Sequence, residues 1–297
     1  MSEHDPDYEL VEDRTPAPAN WAAKANEASI RALSANPPAD ESAFVKEYNP
    51  RDYDPVAVTV DVCLFTLREG TLNVLLIRRG GHPYLGHLAL PGGFLNAGDQ
   101  GTSSGETVEE AARRELEEEC GADVFNGHLE QLKTYGDPGR DPRMRVVTIA
   151  HVAFAPNLPD PTPGSDAADA RWWPVEDVLY GEAEDTPVLA FDHATILADA
   201  VDRVRAKIEY TTLATQFLAE PFSLSDLRRV YTAVWGVAPE LANFRRKVLS
   251  TEGFVVPAEQ SSMAANGEAG GRPPMLFRRG NATQLQPAML RPNPCEQ

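Results

Sequence analysis

The 297-residue chain contains the run Arg114-Glu115-Leu116-Glu117-Glu118-Glu119-Cys120-Gly121, in which four of the eight residues are glutamate. If this run belongs to a helix, Glu115, Glu118 and Glu119 share one face, because residues three and four positions apart are neighbours on a helix surface. Like charges at these spacings destabilise a helix by about 0.2–0.5 kcal/mol per pair, which a bound cation offsets. Oxygen ligands favour Mg²⁺ or Mn²⁺. The pattern predicts a metal site; the alternative is a solvated acidic face.

Local signals at both ends predict a helix over residues 108–120. Thr107 and Glu110 have the spacing of a capping box, which satisfies free backbone N–H groups at the start of a helix. Gly121 can adopt the left-handed conformation that ends a helix. These signals favour the metal site over the solvated face, because the position of each ligand depends on the helix.

A glycine loop precedes this helix at Leu90-Pro91-Gly92-Gly93-Phe94. Its glycines allow backbone N–H groups to approach a ligand closely, so the loop can hold phosphate oxygens. After the helix, a turn-rich segment carries Arg140, Arg143 and Arg145. Turn chemistry explains its Asp-Pro and Gly-Asp pairs, whereas a diphosphate or ribose-phosphate ligand explains the arginines through bidentate contacts. The spacing leaves both interpretations open.

Composition restricts the class of protein. The formal net charge is −18, yet residues 201–250 carry 8 basic and 5 acidic residues, whereas residues 1–55 carry 5 and 12. Such asymmetry indicates that the basic part binds a polyanion. No apolar run approaches the roughly 18 residues of a membrane helix, and the start lacks a secretory pattern. The three cysteines share no metal-ligand spacing. We expect a cytoplasmic protein without a membrane segment.

Strand and helix patterns define the first folded part of the chain. Apolar and alternating segments predict strands at 56–65, 72–77, 129–135, 145–154 and 170–173, and a second helix at 192–210. Together with the acidic helix they predict an α/β sandwich with a mixed sheet over residues 55–210. Residues 1–54 are rich in Pro, Ala, Asp and Glu. We expect them to form an acidic, largely disordered extension, apart from a possible short helix near Trp21–Ser34.

The remaining residues predict a DNA-binding module. Residues 225–235 and 240–249 have apolar side chains at helical spacing around a Gly-Pro turn, which is a helix-turn-helix layout. The second helix carries residue types that contact base edges and phosphates, namely Asn243, Arg245, Arg246 and Lys247. Segments 254–256 and 275–279 are expected to pair as a wing. We predict a winged helix-turn-helix domain over 211–282 and a flexible tail over 283–297; a merely solvated basic face is the alternative.

The acidic run resembles the box of the Nudix hydrolases, G-x5-E-x7-R-E-U-x-E-E-x-G-U, where U is a bulky apolar residue. Glu106, Arg114-Glu115-Leu116, Glu118-Glu119 and Gly121 fall in register with it. The first half departs from the pattern, because 13 steps separate Gly93 from Glu106 where the box has six, so about seven residues are inserted. The insertion leaves the placement of Glu106 open. The resemblance implies that the glutamates bind divalent ions at a diphosphate and that Arg114 braces the carboxylates.

Residues 55–280 more specifically resemble the NrtR family, the Nudix-related transcriptional regulators of NAD metabolism. The resemblance is carried by motifs that include Thr59-Val60-Asp61, Gly136-Asp137-Pro138, Phe191-Asp192-His193 and Asn243-Phe244-Arg245-Arg246-Lys247. It implies a Nudix domain that senses ADP-ribose or a related nucleotide, a winged helix that binds operator DNA, and a homodimer. It also assigns diphosphate contacts to Gly92, Gly93, Arg140 and Arg143, catalysis to Arg114 with the glutamates, and metal binding to Glu115, Glu118 and Glu119.

Three functions remain open at this point. The chain is a regulator that also hydrolyses a diphosphate bond with Mg²⁺ or Mn²⁺, a sensor whose insertion blocks turnover, or a hydrolase whose C-terminal module only forms a dimer interface. A general base is not identified, although Asp166 and Asp169 are plausible residue types for it.

Overall fold

The computed structural model describes residue 31 and residues 41–98, 105–120, 125–161, 167–181, 187–258 and 275–292. The chain divides into two compact units, Met1–Pro55 and Val56–Gln297. The first unit contains helix α1 (Glu41–Glu47) and a 3-10 turn at Pro50–Asp52 in its described part. The sequence did not predict α1. Apart from Arg31, the helix expected near Trp21–Ser34 lies outside the described residues.

The second unit is built around a mixed sheet, as predicted. Seven strands form it within the described residues, in the order β3-β2-β1-β6-β5, with β4 on β1 and β7 on β2. Only the β1–β6 pair is parallel; the other pairs are antiparallel. The strands are β1 (Ala57–Arg68), β2 (Thr71–Arg79), β3 (Leu88–Ala89), β4 (Gly92–Phe94), β5 (His128–Tyr135), β6 (Val146–Phe154) and β7 (Ala167–Pro174).

Alternate residues of β1 face two different hydrophobic clusters. Val62 and Leu64 pack toward helix α2 (Val108–Cys120), whereas Cys63 and Phe65 pack toward helix α4 (His193–Tyr210). The short helix α3 (Val175–Tyr180) lies between β7 and α4 in the chain. Because side chains of a strand alternate between its faces, one strand organises both sides of the sandwich.

Helix α2 begins where the sequence predicted. The backbone N–H of Thr107 donates to Glu110 Oε2 at 2.7 Å, and the N–H of Glu110 donates to Thr107 Oγ1 at 3.2 Å. This reciprocal pair is the capping box. The predicted end at Gly121 lies outside the described residues.

Helix α4 joins the sheet to the C-terminal part of the chain. Its buried side chains recur at helical spacing, from His193 through Ile196, Ala200 and Val204 to Ile208. The apolar ones belong to the same cluster as Tyr231 and Trp235 of helix α5 (Leu224–Trp235), Phe244 of helix α6 (Leu241–Ser250) and other core residues of that part. The two parts therefore share one continuous hydrophobic core.

The C-terminal part is a winged helix. After a 3-10 turn (Thr212–Phe217), it contains α5, α6 and the strands β8 (Phe222–Ser223), β9 (Val255–Pro257) and β10 (Leu276–Arg279). Strand β10 pairs antiparallel with both β8 and β9, so the predicted wing pairing is confirmed. Residues 259–274, which join β9 to β10, lie outside the described part. Two hydrogen bonds fasten α5 to α4, from Tyr231 Oη to the Ile208 carbonyl and from Trp235 Nε1 to the Arg205 carbonyl, each 3.1 Å.

The last described residues pack against the end of α4. The N–H of Leu285 donates to the Tyr210 carbonyl at 2.8 Å, and the N–H of Met289 donates to the Glu209 carbonyl at 2.6 Å. Both side chains are buried. Of the flexible tail predicted for residues 283–297, the described part differs from the prediction, because Leu285 and Met289 complete the core and their N–H groups satisfy carbonyls at a helix end. Residues 293–297 lie outside the described part. None of the helices within the described residues is long and apolar enough to cross a membrane.

Glu130 ties β5 to α4, and its charge should stabilise the fold. It accepts hydrogen bonds from Lys207 Nζ at 2.8 Å and Arg203 Nη1 at 3.2 Å, and its Oε2 lies 3.0 Å from His128 Nε2. Burial raises the pKa of Glu130, but these three partners outweigh burial and lower the pKa to about 2. The folded pKa thus lies below the unfolded one, so the stabilisation is complete above about pH 4.5 and is lost as the pH falls toward 2.

We predict that Glu130→Gln lowers the free energy of unfolding by about 2 kcal/mol at pH 7. The deficit should shrink in urea titrations repeated between pH 4.5 and 3.5. Glu109→Gln is the matched control, because the Glu109–Arg113 pair is exposed, and it should cost less than about 0.5 kcal/mol. A deficit that is equal at pH 7 and pH 3.5 would refute the electrostatic account.

Candidate active site

The described residues enclose a cavity of about 1000 Å³ at one end of the sheet. Its wall combines side chains from β1, β2, β4, α2, the 140–143 turn and the start of α4. Four arginines and four carboxylates line it, together with glycines and aromatic rings. The charged residues are Arg79, Arg114, Arg140, Arg143, Asp61, Glu115, Glu118 and Asp141.

Arg114 holds three glutamates at the edge of this cavity. Its Nε and Nη2 form a bidentate pair with Glu106 at 3.1 and 2.9 Å. Its Nη1 donates to Glu115 Oε1 at 2.7 Å and to Glu118 Oε1 at 3.2 Å. These hydrogen bonds raise the pKa of Arg114, with the bond to Glu106 as the largest cause, so the guanidinium stays charged. Arg114 therefore holds the carboxylates in place, as the resemblance to the Nudix box implied.

Glu106 occupies the network despite the insertion before it. Its Oε1 accepts from the N–H of Asn96 at 2.7 Å, and its own N–H donates to the Asn96 carbonyl at 3.0 Å. The hydrogen bond from Arg114 is the main reason that the pKa of Glu106 is lowered. Of the insertion Asp99–Gly105, residues 99–104 lie outside the described part, but Asn96 before it and Glu106 after it are hydrogen-bonded to each other. The placement that the spacing left open is thus resolved: Glu106 stands beside Arg114.

Both glycines of the loop allow close approach of neighbouring groups. A Cβ at Gly93 would lie 2.4 Å from Glu115 Oε1, and a Cβ at Gly92 would lie 2.3 Å from the Val60 carbonyl oxygen and 2.6 Å from Asp61 Oδ1. At Gly92 the overlap includes backbone atoms of β1, so only glycine fits there, whereas at Gly93 the end of the Glu115 side chain would have to move away. Glu115 is buried, and burial is the main reason that its pKa is raised. A buried carboxylate beside an open backbone is a suitable oxygen donor for a hard cation.

The three predicted metal ligands are partly brought together. Glu115 and Glu118 share one nitrogen of Arg114 and both line the cavity, whereas the side chain of Glu119 lies outside the described part. Among the described side chains, no group of three or more His, Cys, Asp or Glu residues is arranged to hold a metal ion. The carboxylates of Glu115 and Glu118 are oxygen donors of the kind that a divalent cation prefers. Among the described side chains, these two are the predicted ligands that the structure places at the cavity.

Arg140 and Asp61 form a second charged cluster in the wall of the same cavity. The guanidinium of Arg140 pairs with both oxygens of Asp192, at 2.9 and 2.6 Å, and lies 3.5 Å from Asp61. The Arg140 side chain is only 5% exposed. Burial lowers its pKa, but the hydrogen bonds and charge of Asp192 outweigh burial and raise it.

His193 lies next to this cluster. Its Nδ1 accepts from the N–H of Leu90 at 2.9 Å, so the ring proton is on Nε2, 3.5 Å from Asp61 Oδ1. Burial lowers the pKa of His193, which keeps the imidazole neutral at pH 7. The ring thus links Leu90, the first residue of the glycine loop, to the start of α4.

Arg143 is the more accessible of the two predicted phosphate-binding arginines. It pairs with Asp141 through Nε and Nη2 at 3.0 and 2.7 Å, and its guanidinium carbon lies 5.4 Å from the centroid of the Phe94 ring. Its side chain is 43% exposed, so part of the guanidinium remains open to a ligand. Arg145, the third arginine of the segment, does not line the cavity.

Comparison with known proteins identifies the family. Residues 56–192 match the NUDIX domain model, and residues 214–278 match the NrtR DNA-binding winged helix domain model. The chain is 31% identical over 238 residues to the ADPR responsive transcriptional repressor NtrR of Acinetobacter baylyi, covering 80% of this chain and 88% of that protein. The chain belongs to the NrtR family.

Two further relatives extend the comparison beyond this NrtR-family repressor. The chain is 35% identical over 157 residues to the ADP-ribose pyrophosphatase of Methanocaldococcus jannaschii, covering 52% of this chain and 78% of that enzyme. The crystal structure of Shewanella oneidensis NrtR complexed with a 27mer DNA has a TM-score of 0.59 and 30% identity, covering 74% of this chain and 92% of that one. The Nudix sandwich with a C-terminal winged helix is thereby confirmed.

The winged helix of this NrtR-family chain presents its second helix as the sequence predicted. Phe244 and Val248 of α6 are buried, whereas Asn243, Arg245 and Arg246 are exposed. Arg246 Nη2 donates to Asn243 Oδ1 at 2.8 Å, so these two side chains form one polar unit.

Lys247 has a different environment from its neighbours on α6. It is half-buried, and its Nζ donates to the Ala288 carbonyl oxygen in the C-terminal segment. The predicted DNA contact of Lys247 therefore competes with a contact inside the protein, whereas Arg245 and Arg246 remain accessible.

Sequence reasoning missed several residues of the Nudix domain that line the cavity or, like Asp192, pair with a residue that lines it. Asp61, Arg79, Asp192 and His193 received no role, although two of the motifs that indicated the family contain three of them. One signal was available, because Asp61 is a charged residue inside an otherwise apolar strand, where an acid needs a partner. The proposed bases cannot be placed, because Asp166 and the side chain of Asp169 lie outside the described part.

We predict that Gly92→Ala destabilises the protein by about 1–3 kcal/mol, because its Cβ would overlap backbone atoms of β1 and separate the two strands. Gly81 is a matched control in the same cavity wall, since a Cβ there would meet nothing within 4 Å. Gly81→Ala should change the free energy of unfolding by less than about 0.5 kcal/mol. Urea denaturation measures both, and equal losses would contradict the close-approach argument.

Proposed function

We propose that this protein is a transcriptional repressor that binds ADP-ribose in its Nudix cavity and operator DNA through its winged helix. The observation that carries the proposal is structural: a charged cavity and an exposed basic helix occur in one chain and share one hydrophobic core. The Acinetobacter baylyi relative supports it, being an ADPR responsive transcriptional repressor. ADP-ribose is a breakdown product of NAD, so the regulated genes belong to NAD metabolism.

The cavity suits a nucleoside diphosphate in size and charge. Its volume of about 1000 Å³ matches the upper range of ligand pockets. Of the predicted ligand contacts, the open part of Arg143 and the backbone of Gly92 and Gly93 face the cavity, whereas the donors of Arg140 are largely used by Asp192. Arg140 therefore acts mainly by positioning Asp61 and the start of α4.

DNA binding is assigned to the exposed residues of α6, namely Asn243, Arg245 and Arg246, with Lys247 in a supporting position. A helix with these residue types reads the major groove, and arginine also neutralises phosphates. The Shewanella oneidensis relative, solved with a 27mer DNA, supports this assignment. We propose that the protein binds as a homodimer on a palindromic operator, since the half-sites would mirror a two-fold axis.

We predict that Arg246→Ala weakens binding to an operator fragment, recovered by selection from genomic DNA, by about 10-fold or more. Arg113→Ala removes the same charge from the exposed side of α2 and should bind DNA as the wild type does. Fluorescence anisotropy at fixed salt gives both affinities, and titration of stoichiometry should give two chains per operator. Addition of ADP-ribose should change the wild-type affinity, because a sensor couples the two ligands.

Unchanged operator binding by Arg246→Ala would show that α6 is not part of the DNA interface. If ADP-ribose does not alter the operator affinity, the proposed sensing function is wrong, whereas the proposed DNA binding stands.

A second function, hydrolysis of the diphosphate bond, is favoured by the retained glutamates. Nudix hydrolases generally use a divalent metal ion, and we propose Mg²⁺ or Mn²⁺ bound by Glu115, Glu118 and Glu119. When bound, such an ion polarises phosphoryl oxygens and lowers the pKa of a water molecule. The protein's own contribution is the brace of Arg114, which fixes the carboxylates before a ligand arrives. The relative from Methanocaldococcus jannaschii, an ADP-ribose pyrophosphatase, supports this proposal.

We predict that the wild-type protein with Mg²⁺ converts ADP-ribose and water into AMP and ribose 5-phosphate. Glu115→Gln should lower the rate by about 100-fold or more, because it removes a negatively charged ligand. Glu117→Gln is the control on the exposed side of the same helix and should keep the rate within about twofold. Chromatographic detection of AMP measures turnover. Binding of ADP-ribose without AMP release by the wild type would establish a sensor without enzymatic activity.

A further inference from the structure

The four arginines of the cavity differ in how far their charge is already neutralised. Arg114 holds Glu106, Glu115 and Glu118, and two others form bidentate pairs, Arg140 with Asp192 and Arg143 with Asp141. Arg79 is the exception: among the described residues, no carboxylate forms an ion pair with its guanidinium, although the group lines the same cavity.

The position of Arg79 is fixed by contacts that leave its terminal nitrogens free of described partners. Arg79 is the last residue of β2, where its N–H donates to the His87 carbonyl and its carbonyl accepts from the Gly86 N–H, both at 2.9 Å. Its Nε donates to the Pro83 carbonyl at 2.8 Å, and its guanidinium carbon lies 4.8 Å from the centroid of the Phe191 ring. The plane of the guanidinium is therefore set, and Nη1 and Nη2 remain available.

The positive charge of Arg79 is only partly compensated by neighbouring carboxylates. Burial is the largest cause that lowers its pKa, and the positive charge of Arg143 is the next, while the charges of Asp141 and Asp61 oppose them more weakly. A half-buried cation next to a second cation is unfavourable, and a bound anion relieves this cost.

We propose that Arg79 is a specificity-determining residue that binds a phosphate oxygen of the ligand through its Nη1 and Nη2 groups. The identity of the nucleotide rests on the proposed function, but the requirement for a phosphate anion does not. A planar guanidinium held at Nε and stacked on a ring is preorganised for two parallel hydrogen bonds to a phosphate. The site thereby selects diphosphates over neutral sugars of similar size.

The neighbouring residue provides a matched control. Arg78 belongs to the same strand, but its Nη1 donates to the Gly86 carbonyl at 2.8 Å and it does not line the cavity. Arg78→Gln and Arg79→Gln remove the same charge from adjacent positions of β2. A contact specific to the cavity therefore appears as a difference between the two variants.

Isothermal titration calorimetry with ADP-ribose and with inorganic pyrophosphate, at one fixed salt concentration and without Mg²⁺ so that ADP-ribose is not hydrolysed, tests the proposal. Arg79→Gln should weaken both ligands by about 10- to 100-fold, as expected for a lost hydrogen bond to a charged group. Arg79→Lys should fall in between, because it keeps the charge but not the planar fork. Arg78→Gln should stay within about twofold of the wild type.

Thermal unfolding without ligand separates binding from folding. If Arg79 acts on the ligand, Arg79→Gln keeps a melting temperature close to that of Arg78→Gln while losing the stabilisation that pyrophosphate gives the wild type. Wild-type pyrophosphate affinity in Arg79→Gln, or no pyrophosphate binding by the wild type, overturns the proposal. If the wild type binds pyrophosphate through Arg79 but does not bind ADP-ribose, the role of Arg79 stands and only ADP-ribose as the ligand is rejected.

Discussion

Strand β1 is buried on both faces, and the rest of the molecule is arranged around this constraint. It pairs with β2, β4 and β6, so its backbone groups are satisfied within the sheet. Val62 and Leu64 meet the glutamate-bearing helix α2, whereas Cys63 and Phe65 meet the cluster that continues into the winged helix. Asp61 lies in the same strand at the cavity, where burial of its charge is tolerated only beside Arg140 and His193.

Pairing of opposite charges explains how the cavity accommodates so many ionised groups. Arg114 donates hydrogen bonds to three glutamates and so reduces their mutual repulsion, and Asp192 pairs with the buried guanidinium of Arg140. Each pair fixes the orientation of its members before a ligand binds, which lowers the reorganisation that binding requires. Helix α4 connects the charged residues of the cavity with the C-terminal part of the chain. Its first residue contacts Asp61, and its last turns contact α5 and the C-terminal segment. It is a contiguous packed element that runs from the cavity to the winged helix.

Local pattern was sufficient for the longer helices and strands and for the acidic part of the candidate site, but not for the short elements α1, α3, β3, β4 and β8. The Thr107–Glu110 capping box, the helix 108–120 and the helix-turn-helix depend on spacings of three and four residues, which the chain expresses directly. The side of α2 that carries Glu115 and Glu118 followed from the same periodicity. Strands such as β1 were equally evident, since apolar runs with β-branched residues bounded by turn residues predict buried strands. The family followed from motifs that keep these spacings.

Only the tertiary structure decided which distant residues complete the cavity. Asp61 and His193 are separated by most of the Nudix domain, and nothing in either local sequence specifies the other as a partner. Local sequence is equally silent about three other features of the cavity. These are the pairing of Arg140 with Asp192, the guanidinium of Arg79 without an ion-pair partner among the described residues, and the contact between Glu106 and Arg114 across the insertion. Sequence spacing reports neighbours along one helix or strand, whereas chain folding sets the distances between separate elements. The sequence by itself therefore determined the elements and their chemistry, and the packing of the sheet against α4 determined how their charges combine.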